Sequence, residues 1–149
     1  MSTMFTHAKK PPKPLEPRFV LLHHAMEASA GRFDHWDLML EHGGTLVTFE
    51  LERLPTAIGQ FETRRLADHR LAYLDYEGHI SGNRGQVFRL DRGRYQEVQP
   101  GDAAGGTRRF RYQLHGQRLN ATISADQPMF LLPFAQPIHL EAVQWDWHD

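Results

Sequence analysis

His35 and Asp37 stand two residues apart in Asp34-His35-Trp36-Asp37-Leu38-Met39-Leu40, a stretch that alternates between two faces. On a β-strand, residues i and i+2 share a face, with Cα atoms roughly 6.6–6.8 Å apart. An imidazole and a carboxylate so spaced reach one cation if a neighbouring strand supplies a third ligand, because divalent metals sit roughly 2.0–2.2 Å from such donors. His24, or failing that His23, is the candidate third ligand, at the end of the apolar run Phe19-Val20-Leu21-Leu22. Two imidazoles and one carboxylate leave coordination positions open. That suits catalytic manganese, iron or zinc better than a closed structural site.

These side chains need a sheet to aim them. The run from Arg18 to His24 reads as a buried strand, and Asp34 to Leu40 as a second with His35, Asp37 and Met39 on one face and Trp36, Leu38 and Leu40 on the other. His42-Gly43-Gly44 makes a tight turn into Thr45 to Leu51, completing a hairpin. Pro55 to Ala67 reads as a short helix lined by Ile58, Phe61, Arg65 and Leu66. Arg70 to Glu77 reads as a strand, followed by a glycine-rich segment, Gly78 to Gly85, able to approach a ligand closely. Gln86 to Leu90, Arg94 to Val98, Thr107 to Leu114, Leu119 to Ser124 and a segment from Ile138 read as further short strands, with Asp91-Arg92-Gly93 and His115-Gly116-Gln117 as turns. Tyr76, Trp145 and Trp147 are assigned to packing, and Arg64, Arg65, Arg108, Arg109 and Arg111 to solvated surface. Many short strands with little helical periodicity predict a mainly β fold, a small antiparallel β-barrel with short helical segments. Its concave face would make alternating polar residues converge.

Composition sets the boundaries. A chain of 149 residues with 12 Gly and 9 Pro fits one domain, expected over 18–149. Residues 1–17 hold Lys9, Lys10 and Lys13 among four prolines and read as a disordered basic arm. The absence of Cys excludes disulfides, thiolate nucleophiles and iron–sulfur sites, and makes the cytoplasm the expected location. With 17 Lys+Arg against 18 Asp+Glu, a strongly basic, sequence-blind DNA coat is excluded. The 10 His residues form a further reserve of positive charge near pH 6 to 7. The run Met129 to Ala135 falls far short of the ~20 apolar residues that a spanning helix requires, so no membrane partner is expected.

The ordered combination of segments resembles the N-terminal phosphoesterase domain of bacterial DNA ligase D and its free-standing relatives. Phe19 to Ala25 resembles that family's first strand, which ends in a histidine. His35-Trp36-Asp37-Leu38-Met39-Leu40-Glu41 resembles its His-aromatic-Asp-x-Arg-x-Glu strand, and Asp68-His69-Arg70-Leu71-Ala72-Tyr73-Leu74-Asp75-Tyr76-Glu77-Gly78 its Asp-His-Pro-Leu-x-Tyr-x-x-Phe-Glu-Gly segment. Asp91-Arg92-Gly93-Arg94-Tyr95 and Arg111 to Leu119 continue the likeness, which spans most of residues 18 to 124.

The resemblance implies a manganese-dependent barrel that trims blocked 3′ ends in DNA repair, removing a terminal ribonucleoside and then the exposed 3′-phosphate. Zinc or another divalent ion is an alternative cofactor. The implied metal ligands are His24, His35 and Asp37, with His69 on the phosphate and Tyr73 assisting by hydrogen bonding. The implied partners are nucleic-acid 3′ ends, with separate ligase or polymerase proteins as further candidates. The sequence departs from the pattern at Met39, which stands where the ligase-attached domains carry arginine. A thioether supplies no charge and no fork of donors for phosphate. Arg84, in the glycine-rich segment, is the candidate replacement. Without that arginine, the alternative is a weakly active or inactive module that binds nucleic-acid ends. A cupin-like iron oxygenase also uses two histidines and a carboxylate, but that family's glycine spacing and later histidine are not evident.

Overall fold

The computed structural model describes residues 15–27, 29, 31–98 and 109–148. The expected arm, up to residue 14, and the expected strand start at Thr107 with Arg108 lie outside the described residues. Among the described residues nine strands form one antiparallel sheet: β1 (Arg18–Ala25), β2 (His35–His42), β3 (Thr45–Leu51), β4 (Gly59–His69), β5 (Gly78–His79), β6 (Gln86–Val98), β7 (Phe110–Gly116), β8 (Leu119–Ala125) and β9 (Pro137–Trp147). Their order is β1-β2-β3-β4-β9-β8-β7-β6-β5, and a further β1–β6 pairing closes the ring as an antiparallel barrel. No helix among the described residues is long and apolar enough to cross a membrane.

One face of the long strands fills the barrel. Phe19 and Leu21 of β1, Leu38 and Leu40 of β2, Val47 and Phe49 of β3, Leu114 of β7, Ile123 of β8 and Leu140 of β9 belong to one buried cluster. A second cluster, Val20, Leu22, Met39, Leu46, Leu74 and Val87, lies on the opposite, outer face of β1, β2, β3 and β6. The expected β2–β3 hairpin forms, with Gly43 and Gly44 at φ of 60° and 82°, values that suit glycine in a two-residue connection.

Three expected elements differ in the structure. The helix expected within 55–67 is strand β4. Phe61, Thr63 and Arg65 alternate inward, and Arg65 is buried, where apolar periodicity does not register it. Its guanidinium donates to the Phe130 and Leu132 carbonyls at 2.9 and 3.0 Å and lies 4.0 Å from the Phe134 ring. The strand expected at 70–77 is a 3₁₀ turn, Leu71–Leu74, which lays Leu74 on the second cluster while Leu71 and Tyr73 pack beside it. Tyr76, assigned to the core, is instead exposed, and its hydroxyl donates to the His79 carbonyl.

The turn expected at Asp91-Arg92-Gly93 is the middle of one continuous strand, β6. Asp91 is buried and accepts the Leu119 N–H at 2.7 Å and the Arg118 N–H at 3.1 Å, so it fastens the β7–β8 turn. Gly93 pairs with Gly116 so closely that a Cβ on residue 93 would lie 2.0 Å from the His115 carbonyl oxygen. Trp145 is buried as expected, whereas Trp147 is 40% exposed beneath the Arg118 guanidinium.

Candidate metal centre

The register brings the three candidate ligands together. His24 lies directly opposite His35 across β1–β2, and Leu22 lies opposite Asp37, so all three polar side chains emerge on the outer face of the wall. The concave face does not gather them, because the barrel interior is apolar. They converge because β1 and β2 present an opposed pair and the adjacent residue on the same face. One ligand atom from each of His24, His35 and Asp37 lies within 4.8 Å of the others. His23 faces the other way: it stacks on Trp36 at 5.1 Å and contacts Asp34 at 3.1 Å. The Met26 N–H donates to Asp34 at 2.9 Å and holds that carboxyl below its ordinary range.

Hydrogen bonding orients both imidazoles. His24 Nε2 faces the Arg84 carbonyl, a pure acceptor, so Nε2 carries the proton and Nδ1 presents a lone pair toward Asp37 Oδ2 at 3.5 Å. His35 Nδ1 faces the Phe33 carbonyl at 3.4 Å and Glu50 Oε1 at 3.7 Å, which leaves Nε2 toward Asp37 Oδ1 at 3.8 Å. Asp37 is 3% exposed, and its Oδ1 has no hydrogen-bond partner among the described residues. Two nitrogen lone pairs and an orphaned carboxylate oxygen in a buried cluster repel one another unless a cation lies between them. Asp37 accordingly raises the His24 pKa, with burial opposing and the Arg84 carbonyl adding to the rise. The donor set is the one expected for a divalent metal.

Sequence reasoning missed Glu50. It pairs with Asp37 across β2–β3, contacts His35, and accepts from Arg32 at 2.6 Å. The hairpin turn holds the signal: if His42 faces Thr45, counting back along both strands sets Asp37 opposite Glu50.

His69 and Tyr73 are in contact at 5.3 Å, ring edge to face. His69 Nδ1 faces the Ala67 carbonyl at 3.0 Å and must donate to it, which leaves Nε2 for another partner. His69 pairs with Leu46, and Asp37 with Glu50, so His69 stands four residues along β3 from the trio, about 13 Å by strand rise. Tyr73 reaches back from this position to pack in the cluster that contains Met39. Arg84 joins the centre through its carbonyl. Its guanidinium turns onto Ser81, donating to that residue's carbonyl at 2.6 Å. Met39 is 1% exposed within the second cluster, so this position presents only thioether and methylene to its neighbours. Glu77 accepts the Arg89 backbone N–H at 2.9 Å.

The protein is thus of the class of antiparallel β-barrels, with two histidines and an aspartate gathered on its outer face. The chain belongs to the DNA Ligase D 3′-phosphoesterase domain family, whose model matches residues 23–124 and so runs from the end of β1 through β8. Membership implies a 3′-phosphoesterase-type function in DNA repair, with nucleic-acid 3′ ends as partners. Comparison with curated proteins gives no match.

Proposed function

We propose that this protein is a divalent-metal-dependent phosphoesterase that clears blocked 3′ ends, removing a terminal ribonucleoside or a 3′-phosphate. One observation carries the reading: in a chain of this family, two oriented imidazole nitrogens and the orphaned Oδ1 of buried Asp37 converge within one ligand sphere. His24 Nδ1, His35 Nε2 and Asp37 would hold the ion, with manganese as the first candidate. Bound there, it would supply Lewis-acid polarisation of phosphoryl oxygens and a lowered pKa for coordinated water.

The remaining groups act by position. The Arg84 carbonyl and Glu50 hold the imidazoles in the tautomers that keep their lone pairs inward. His69, anchored through Nδ1, offers Nε2 to a phosphate oxygen and donates to it when protonated, while the Tyr73 ring fixes the imidazole plane. Leu74 lies in the second cluster and Ile80 packs against it, covering apolar surface on the face that carries the centre.

Incubation of manganese-loaded protein with a primer-template ending in a 3′-ribonucleotide should release the terminal nucleoside, and His35→Ala should abolish that release. Equal turnover by both proteins would reject catalysis at this centre. The buried thioether at Met39 favours a second reading, a module that retains 3′ ends without turning them over. Under that reading, wild-type protein binds the primer-template but no product appears at any manganese concentration.

A further inference from the structure

Away from the candidate metal centre, the outer face carries basic side chains in a row. Arg18 of β1 pairs with Arg94 of β6, and Arg94 pairs with His115 of β7, so three basic side chains stand abreast on neighbouring strands. Arg92 stands one same-face step along β6, opposite Val20. Like charges set directly opposite one another on a sheet destabilise it. The nearby acids offset this only in part. Glu41 takes Arg18 at 2.8 Å, and Asp75 reaches Arg92 at 3.5 Å in a pair whose members are 45% and 80% exposed. Such an exposed pair contributes little and is readily displaced. Arg94 donates to the Glu16 carbonyl, which leaves its charge without a carboxylate contact among the described residues.

The row is concave. Arg18, Arg92, Arg94 and His115 line a groove of about 370 Å³ together with Leu74, Asp75 and the side-chain-free Gly93 and Gly116. Several forked donors around an open groove match the geometry of successive phosphates. The groove also lies on the same face as the trio. Arg18 is six residues from His24 on β1, about 20 Å by strand rise. One strand of a duplex advances ~3.4 Å per nucleotide along its axis, so that distance corresponds to roughly six base pairs.

We propose that this groove is a second nucleic-acid contact, which grips the phosphates of a DNA duplex roughly six base pairs upstream of the 3′ end at the metal centre. The inference rests on the 3′-end reading for its polarity, but its test reads binding. The probe is a fluorescein-labelled DNA hairpin ending in a 3′-phosphate, with a stem of about 12 base pairs, titrated by anisotropy across a series of salt concentrations. Arg92→Gln/Arg94→Gln protein should bind at least several-fold more weakly, and its slope of log affinity against log salt should be shallower by ~0.9 for each phosphate that the variant no longer neutralises. A hairpin with a stem of about 3 base pairs should bind both proteins alike. Arg92→Lys/Arg94→Lys should recover most of the slope, which separates removal of charge from altered folding. An unchanged slope in the glutamine variant, or equal weakening on both hairpins, overturns the proposal. Release of phosphate from a dinucleotide 3′-phosphate, unaffected by these variants, reports separately on the metal centre. Its absence alongside arginine-dependent duplex binding would reject the phosphoesterase reading and leave this one standing.

Discussion

Asp37 is a side chain whose burial works against the fold at the candidate metal centre. Its buried Oδ1 lacks a partner among the described residues, and an unsatisfied buried acceptor costs about 1–3 kcal/mol, more when charged. Metal-free Asp37→Asn protein is therefore expected to be at least as stable as wild type, by urea midpoint, while losing manganese binding by calorimetry. Lower stability in the metal-free variant would mean that the carboxylate serves packing. Glu50 acts more gently. Because it contacts the Nδ1 side of His35, Glu50→Gln should lower manganese affinity about 10- to 100-fold and leave the thermal midpoint nearly unchanged. Unaltered affinity would remove Glu50 from the centre. That His35 and Asp37 share a face was legible in the sequence, because a period of two fixes which residues of one strand lie together. The choice between His23 and His24 was not, since it depends on which face of β1 looks inward, and only the pairing of β1 with β2 settles that.

Strand β6 shows where local sequence misleads at the scale of elements. Asp91-Arg92-Gly93 has the composition of a turn, yet the strand passes through it because each residue answers a neighbouring strand: Asp91 the amides of the β7–β8 turn, Gly93 the backbone of β7. Gly93→Ala should therefore cost about 2–3 kcal/mol through steric overlap with the His115 carbonyl. A urea midpoint close to that of wild type would mean that β7 can move aside. The same reasoning explains the two other misread elements. Arg65 hides the alternation of β4 because a charged residue points inward there, its guanidinium donating to carbonyls 65 and 67 residues away and pairing with Asp68 at 3.2 Å. The 3₁₀ turn at Leu71–Leu74 is set by the outer cluster it covers, a surface that exists only once β1, β2, β3 and β6 have assembled.

At the scale of the whole molecule, acid should loosen the barrel through Glu41. Hydrogen bonds from the Arg18 side chain and backbone N–H hold the Glu41 pKa down at about 2, against burial that would raise it. A carboxyl whose pKa falls on folding stabilises the native state above its ordinary pKa, and that contribution disappears as pH falls from about 4.5 to about 2. With Arg18 43% exposed, screening reduces the effect to about 1–2 kcal/mol. Urea midpoints of wild type and Glu41→Gln should differ at pH 6 and converge near pH 2, whereas a constant difference would show that the pair's charge is not the source.

Closure of the ring between β1 and β6 also governs how the chain reaches its native state. Arg18 cannot meet Arg94 until roughly 75 further residues have been made. At on the order of 5–20 residues per second, a ribosome takes about 4–15 s to make them. During that interval the Phe19–Leu22 segment has only the β2 hairpin to lean on, and half of its hydrogen-bonding edge stays open to other nascent chains. Long-range pairing of this kind places refolding in the millisecond-to-second range typical of β-barrels, with aggregation during synthesis as the main competitor.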